Sequence, residues 1–163
     1  MIAGTEWART GEATARTPIR QMSSEPIGSY VPLGGSTERW EFVLDGAEIL
    51  SADGMGTPGY GSRRQVERGV DVSLLGVKGR VTSRRTPGPR GRFIRMEADG
   101  TVFVARARFP RNRVVDASGA ELADFNGPDW LFRAAEPRIV AFAALVVAAG
   151  LEVTLTSPLL EIF

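Results

Sequence analysis

Pro137–Gly150, PRIVAFAALVVAAG, decides the fold. Glu136-Pro137 suits the entry of a helix, with proline early in the first turn, and Gly150 suits its end. Between them Ile139–Ala149 is eleven apolar residues without a break. A helix lying on a protein surface keeps a polar face, so a helix of this composition is covered on all sides. A bilayer span needs roughly 20 apolar residues, and this run is shorter and soon meets Glu152. The expectation is a buried helix over about 137–149, with Ala141, Ala143, Ala144, Ala148 and Ala149 letting strands approach closely.

Upstream of the helix the chain reads as strands. Trp40, Phe42 and Leu44 alternate with polar residues, and Asp45-Gly46 leads into Ala47–Leu50, a hairpin signal. Ser51–Gly61, SADGMGTPGYG, reads as a loop, and Ser62-Arg-Arg-Gln65 as a capping box opening a short helix that Gly69 ends. Strands are expected at Val70–Leu75 and Gly79–Arg84, joined by the Pro/Gly/Arg-rich turn RRTPGPRGR to Arg92–Met96. Thr101–Ala107, Asn112–Val115, Glu121–Phe125 and Trp130–Phe132 follow, separated by turns ending in Gly100, Gly119 and the Asn126-Gly-Pro break. After the helix, alternation over Glu152–Thr156 reads as a final strand. Some nine to eleven short strands with one all-apolar helix predict a mostly β fold: an antiparallel β-barrel, or a strongly curved sheet, enclosing the C-terminal helix.

The 163 residues are 43% hydrophobic and 24% charged, which fits one globular domain. Residues 1–38, rich in proline and glycine, read as an extended arm, and 39–163 as the β-rich domain. Cysteine and histidine are both absent. That excludes disulfides, thiolate metal sites, cysteine nucleophiles and the Ser-His-Asp triad, and removes the commonest general base and zinc ligand. The N-terminus has no basic stretch leading into an apolar one, so a cytoplasmic location is the default expectation. Lys78 is the single lysine among 20 basic residues, a pattern that fits the codon bias of a GC-rich genome. Charge is unevenly spread: 4 basic against 8 acidic residues over 1–62, 14 against 4 over 63–113, and 2 against 7 over 114–163. The basic middle third suits an anionic partner, or a solvated sheet face matched by the chain's own acidic ends.

The strand–turn–strand VVDASGAELADF (Val114–Phe125), the strand at Trp130–Phe132 and the helix Pro137–Gly150 together resemble the tubby C-terminal-like superfamily, which includes phospholipid scramblases and the LURP-one proteins. There, a late hairpin of the form V-x-D-x-x-G precedes a central hydrophobic helix. The likeness covers about a quarter of the chain and leaves out the proline-rich arm and the stretch beyond the helix. It implies a binding or membrane-surface module rather than a catalyst, since tubby domains hold phosphoinositide headgroups with basic residues. It carries over no ligand residue, and a shared fold is not a shared function.

Candidate chemistry concentrates in arginine. Arg80, Arg84, Arg85, Arg90, Arg92 and Arg95 fall on two strands and their connecting turn, where several guanidinium forks can meet one lipid headgroup or phosphate ligand. Strand alternation puts Arg92 and Phe93 on opposite faces, with Phe93 assigned to the core. Aromatics are too sparse there to favour nucleic acid. Gly54-Met-Gly56-Thr-Pro-Gly59 spells G-x-G-x-x-G, but without a βαβ context it reads as a plain loop. Asp116, Glu121, Asp124 and Asp129 match no calcium-loop spacing, and Asp116 reads as the first residue of its turn. No metal and no cofactor are expected. Trp40, Trp130 and Phe132 are assigned to the core, while Trp7 and Tyr30 on the arm, and Leu160 and Phe163 in the tail, are candidate contacts of a homo-oligomer. The leading expectation is a non-enzymatic binding module. The alternatives are a structural subunit of a viral or multi-subunit assembly, and an enzyme using carboxylates or a metal.

Overall fold

The structure, a computed structural model, describes residues 29–33, 37–44, 47–56, 59–86, 88, 91–127, 129–133 and 136–156; of 29–39 and 43–48 the backbone alone is described. Ten strands run in sequence order across one sheet: β1 (Ser29–Leu33), β2 (Thr37–Leu44), β3 (Ala47–Asp53), β4 (Val70–Leu74), β5 (Val77–Arg84), β6 (Phe93–Ala98), β7 (Thr101–Arg106), β8 (Asn112–Val115), β9 (Glu121–Asn126) and β10 (Asp129–Phe132). Each pairs antiparallel with its neighbour in sequence. The closed barrel is corrected, because among the described residues β1 and β10 do not pair and the meander keeps two edges. The end of β10 shows where its bonds go: the amide of Arg133 donates back to the Leu122 carbonyl at 2.9 Å.

Turn chemistry sets the register. Between β6 and β7, Asp99 and Gly100 both have positive φ (46° and 80°), the requirement of the two-residue turn that matches strand twist. The β4–β5 turn is built the same way on Leu75 (φ 51°) and Gly76 (φ 80°), so the strand read to Leu75 stops at Leu74. Leucine disfavours that conformation, and the Leu75 amide is held there by the Ile49 carbonyl at 2.8 Å.

Alternation then divides each strand into an inner and an outer row. Val70, Val72 and Leu74 of β4, Ile94, Met96 and Ala98 of β6, Phe103 and Ala105 of β7, and Ala123 and Phe125 of β9 are all buried. Trp40 and Phe42 of β2 join them, as do Trp130 and Phe132 of β10, in agreement with their assignment to the core. Trp130 stacks on Phe125 with ring centroids 4.0 Å apart, and its indole N–H donates to the Gly127 carbonyl at 3.1 Å.

Helix α1 (Tyr60–Arg68) begins two residues before the expected Ser62. Gly59 is its N-cap, and Ser62 is buried within the first turn, so the capping box is corrected: the N-cap position falls on a glycine and makes no side-chain bond. The Gly59 amide instead donates to the Ala149 carbonyl at 2.9 Å, joining the start of α1 to the end of α2 (Pro137–Ala149). Helix α2 matches its expected span, and nine of its thirteen residues are buried. Its Phe142 meets Phe103 of β7 at 5.8 Å, while Ala144, Leu145 and Ala148 line an apolar recess with Trp40, Phe42, Leu50 and Ala52 of β2 and β3. Gly150 ends the helix in the left-handed conformation (φ 66°).

The expected final strand at Glu152–Thr156 is corrected to a helical turn, α3 (Val153–Thr156). Thr154 and Leu155 are its buried residues, and with Leu151 just before it they follow a spacing that returns every three to four residues rather than every two. Glu152 fixes the turn from the other side, its carboxylate accepting from Asn112 Nδ2 and from the Gly127 amide, both at 2.9 Å. β1 and the start of β2 fall within residues 1–38, so the strands begin well inside the segment read as an arm. Trp7, Leu160 and Phe163 lie outside the described residues, and of Tyr30 only the backbone pairing with Trp40 is described.

Candidate anion-binding face

The six arginines singled out in the sequence do not converge. Arg80 leans over Gly69 and is engaged by Asp71 (2.9 Å) and by the Arg68 carbonyl at the end of α1 (3.2 Å). Arg85 is half-buried just beyond β5, and Arg90 is outside the described residues. Arg92 is 4% exposed: Nε donates to the Thr86 carbonyl at 2.8 Å and Nη1 to the Leu155 carbonyl at 3.3 Å. Its place as a ligand residue is therefore corrected to that of an internal tie between the β5–β6 connection and α3. Arg80, Arg84 and Arg95 stand on the outer face, and of these Arg84 and Arg95 lie in the two rows nearest the β5–β6 connection.

Arg92 and Phe93 do lie on opposite faces, but with the sides exchanged. The inner row of β6 is Ile94, Met96 and Ala98, which places Phe93 outward with Arg95 and Glu97. Phe93 is thus corrected from core to half-exposed surface. Register extends its row across four strands, as Arg84, Phe93, Arg106 and Arg113. The next outer row reads Thr82, Arg95, Val104 and Val115. Together these rows form an open groove of about 550 Å³ with Phe93, Val102, Val104 and Val115 as floor and Arg95, Arg106 and Arg113 as rim.

The electrostatics of that rim are one-sided. Arg106 stands directly opposite Arg113 across the β7–β8 ladder, a like-charge pairing that opposes strand association. Among the described residues neither has a carboxylate partner, nor does Arg84. Asp124 is opposite Arg113 on its other side but is engaged by Arg111. Arg95 is tied to Glu97 at 2.8 Å, and the Arg106 guanidinium lies over the Phe93 ring, 5.9 Å from its centroid. Asp116 closes one end of the groove, yet its Oδ1 is occupied by the Ser118 hydroxyl (2.6 Å) and the amides of Ser118 and Ala120. Those bonds, the hydroxyl foremost, hold its carboxyl below the usual aspartate range.

The remaining candidates resolve into structure. Gly54 and Gly56 of the G-x-G-x-x-G run take positive φ in the connection to α1, and Met55 between them is wholly buried. Glu121 faces Arg108 and Arg133, and Asp124 and Asp129 both face Arg111. Among the described residues no group of three or more acidic side chains is placed to share a metal ion. Arg106 and Arg113 belong to the basic middle third but lie beyond the Arg80–Arg95 group singled out from it, and only strand register brings them into one face with Arg95. Parity along the two strands held the usable signal: each shares its side with the outer residues of its own hairpin.

No helix among the described residues is long and apolar enough to cross a membrane. Comparison with protein-family models, with curated proteins and with solved structures gives no match.

Proposed function

We propose that this chain is a non-enzymatic binding module for an anionic, phosphate-bearing ligand, which it receives in the groove between Arg95, Arg106 and Arg113. The observation that carries the reading is the Arg106–Arg113 pair, which has no carboxylate partner among the described residues and whose members face each other across a ladder with an apolar floor beside them. Such a pair works against the sheet it sits on unless an anion bridges it, and local rules are broken in this way at functional sites. Two planar guanidinium forks one strand spacing apart suit the several oxygens of a phosphate. The acidic residues around the groove are taken up by arginines or by a turn, which supports binding over acid–base chemistry.

The reading keeps the tubby-like plan, in which the meander wraps around α2 to make a rigid body that displays its outer rows. The burial of α2, with contacts to β2 and β3 on one side and to β7 on another, supports that arrangement.

Calorimetric titration with inositol hexakisphosphate tests it. The native chain is expected to bind with an affinity that falls steeply with added salt, as phosphate recognition by arginine does. The double variant Arg106→Gln, Arg113→Gln, which removes both charges and the repulsion between them, should lose binding by more than about tenfold while its melting temperature holds or rises. Equal binding by the native chain and the double variant would overturn the assignment of the groove.

A further inference from the structure

Beyond the groove, the segment joining β7 to β8 carries the most exposed large apolar side chain among the described residues, Phe109, at 94%. A lone exposed phenylalanine is ordinary where the chain around it is loose, but here the ring is held up by a braced loop. Arg111 Nε binds Asp124, and its Nη2 donates to the Asp129 carbonyl at 2.7 Å. The Arg108 amide donates to Asn112 Oδ1 at 3.3 Å, and the Arg108 guanidinium is 3.9 Å from Glu121. The base of the loop is thereby fixed to β9 and β10, and its apex projects into solvent.

The surroundings of the ring select the partner. Arg108, Arg111, Arg113 and Arg133 share its hollow with Glu121 and Asp124, four cations against two carboxylates, and Arg113 also belongs to the rim of the groove, so ring and groove form one continuous, net positive face. A protein partner would call for a wider apolar patch, whose centre excludes charge. An anionic bilayer calls for this arrangement: one ring to enter the boundary between headgroups and acyl chains, and long basic side chains to remain at headgroup level.

We infer that the Phe109 loop is a membrane-insertion point, by which the module docks on an anionic lipid surface with the groove over a lipid phosphate. The inference rests on the groove reading and names the source of its phosphate, a lipid headgroup in a bilayer rather than a free anion.

The test uses the full chain and vesicles of equal parts phosphatidylcholine and phosphatidylserine. Phe109→Ala should weaken vesicle binding by about tenfold, the effect of withdrawing one partly buried aromatic ring. Phe109→Leu should recover most of the loss. Binding of inositol hexakisphosphate in solution should be the same in all three proteins. Because the sequence contains no cysteine, Phe109→Cys offers a single site for an environment-sensitive nitrobenzoxadiazole label, whose emission should shift to the blue on vesicles. Vesicle binding unchanged in Phe109→Ala, or a label that stays in water, overturns the insertion loop and leaves the groove standing. Failure of the native chain to bind vesicles also overturns it, as does a self-associated form that Phe109→Ala dissolves. A blue shift on vesicles without any binding of the soluble phosphate would retire the groove and keep the loop.

Discussion

Replacing Arg92 with methionine separates a buried tie from a ligand-binding arginine, and the two roles predict opposite results. The substitution keeps an unbranched apolar stem in the space it occupies and removes the guanidinium. At least two hydrogen bonds go with it, a short one to the Thr86 carbonyl and a longer one to the Leu155 carbonyl. A bond from a charged donor contributes about 1.5–3 kcal/mol, and one stretched beyond 3 Å less. The combined loss is therefore about 3 kcal/mol. For a chain of 163 residues, 1 kcal/mol moves the melting temperature by about 2–4 °C, so Arg92→Met should melt about 6–12 °C lower. The assay is differential scanning calorimetry, paired with amide hydrogen exchange at Thr154, Leu155 and Thr156, whose protection should fall first as α3 loses its tie. Titration with inositol hexakisphosphate below the transition should give the native affinity. A variant that melts within about 2 °C of the native protein and no longer binds phosphate would refute the reasoning and restore Arg92 to the ligand set.

Two further outcomes follow from the core and from the groove's end. Phe142→Ala removes a fully buried ring that meets Phe103; chemical denaturation should show a loss of about 3–5 kcal/mol, and a loss below about 1 kcal/mol would mean that α2 is not at the centre of the core. Asp116 has a folded pKa lowered chiefly by the Ser118 hydroxyl, so its contribution is complete above the ordinary aspartate value of about 3.9 and is lost as pH falls through the lower folded value. Asp116→Ala should therefore be less stable than the native chain near neutrality by an amount that narrows below about pH 4, and a difference constant down to about pH 2 would contradict this.

The sequence located α2 to the residue because both of its ends are marked chemically, by Pro137 and by Gly150, and its interior admits only one reading. The hairpins of β6–β7 and β8–β9 were equally legible, since Gly100 and Gly119 supply the positive φ their turns need. The β4–β5 turn was displaced because Leu75 occupies a conformation that composition never suggests for leucine. The segment after the helix misled for a different reason. Alternation of polar and apolar residues over so few positions is compatible with either period, and the choice of helix was made by Leu151 and Leu155 finding the core and by Arg92 and Glu152 fixing the turn from outside it. The closed barrel failed on a question of ends, which no local signal addresses.

The site was harder to read than the fold because proximity in sequence stood in for proximity on a sheet. Arginines crowded between Arg80 and Arg95 disperse to an ion pair, a half-buried strand end, an internal tie and the outer surface. Residues eleven and eighteen positions beyond Arg95 join it on one face, because two hairpins fold β7 alongside β6 and β8 alongside β7. Parity alone could have chosen between Arg92 and Phe93 had the inner row been fixed first by Ile94, Met96 and Ala98, whose identities leave no doubt about their side. An apolar triplet at alternate positions outweighs one phenylalanine at the end of a strand, since burying three side chains at roughly 1.5–3 kcal/mol for each large one exceeds what one ring can contribute. The same arithmetic explains why an arginine could be drawn inside: once the strand's face was set by its neighbours, Arg92 had to find acceptors in the interior, and the Thr86 and Leu155 carbonyls are those acceptors. Phe93, forced outward by the same choice, became the floor on which Arg106 rests, so the error about one pair of residues and the omission of the groove have a single physical origin.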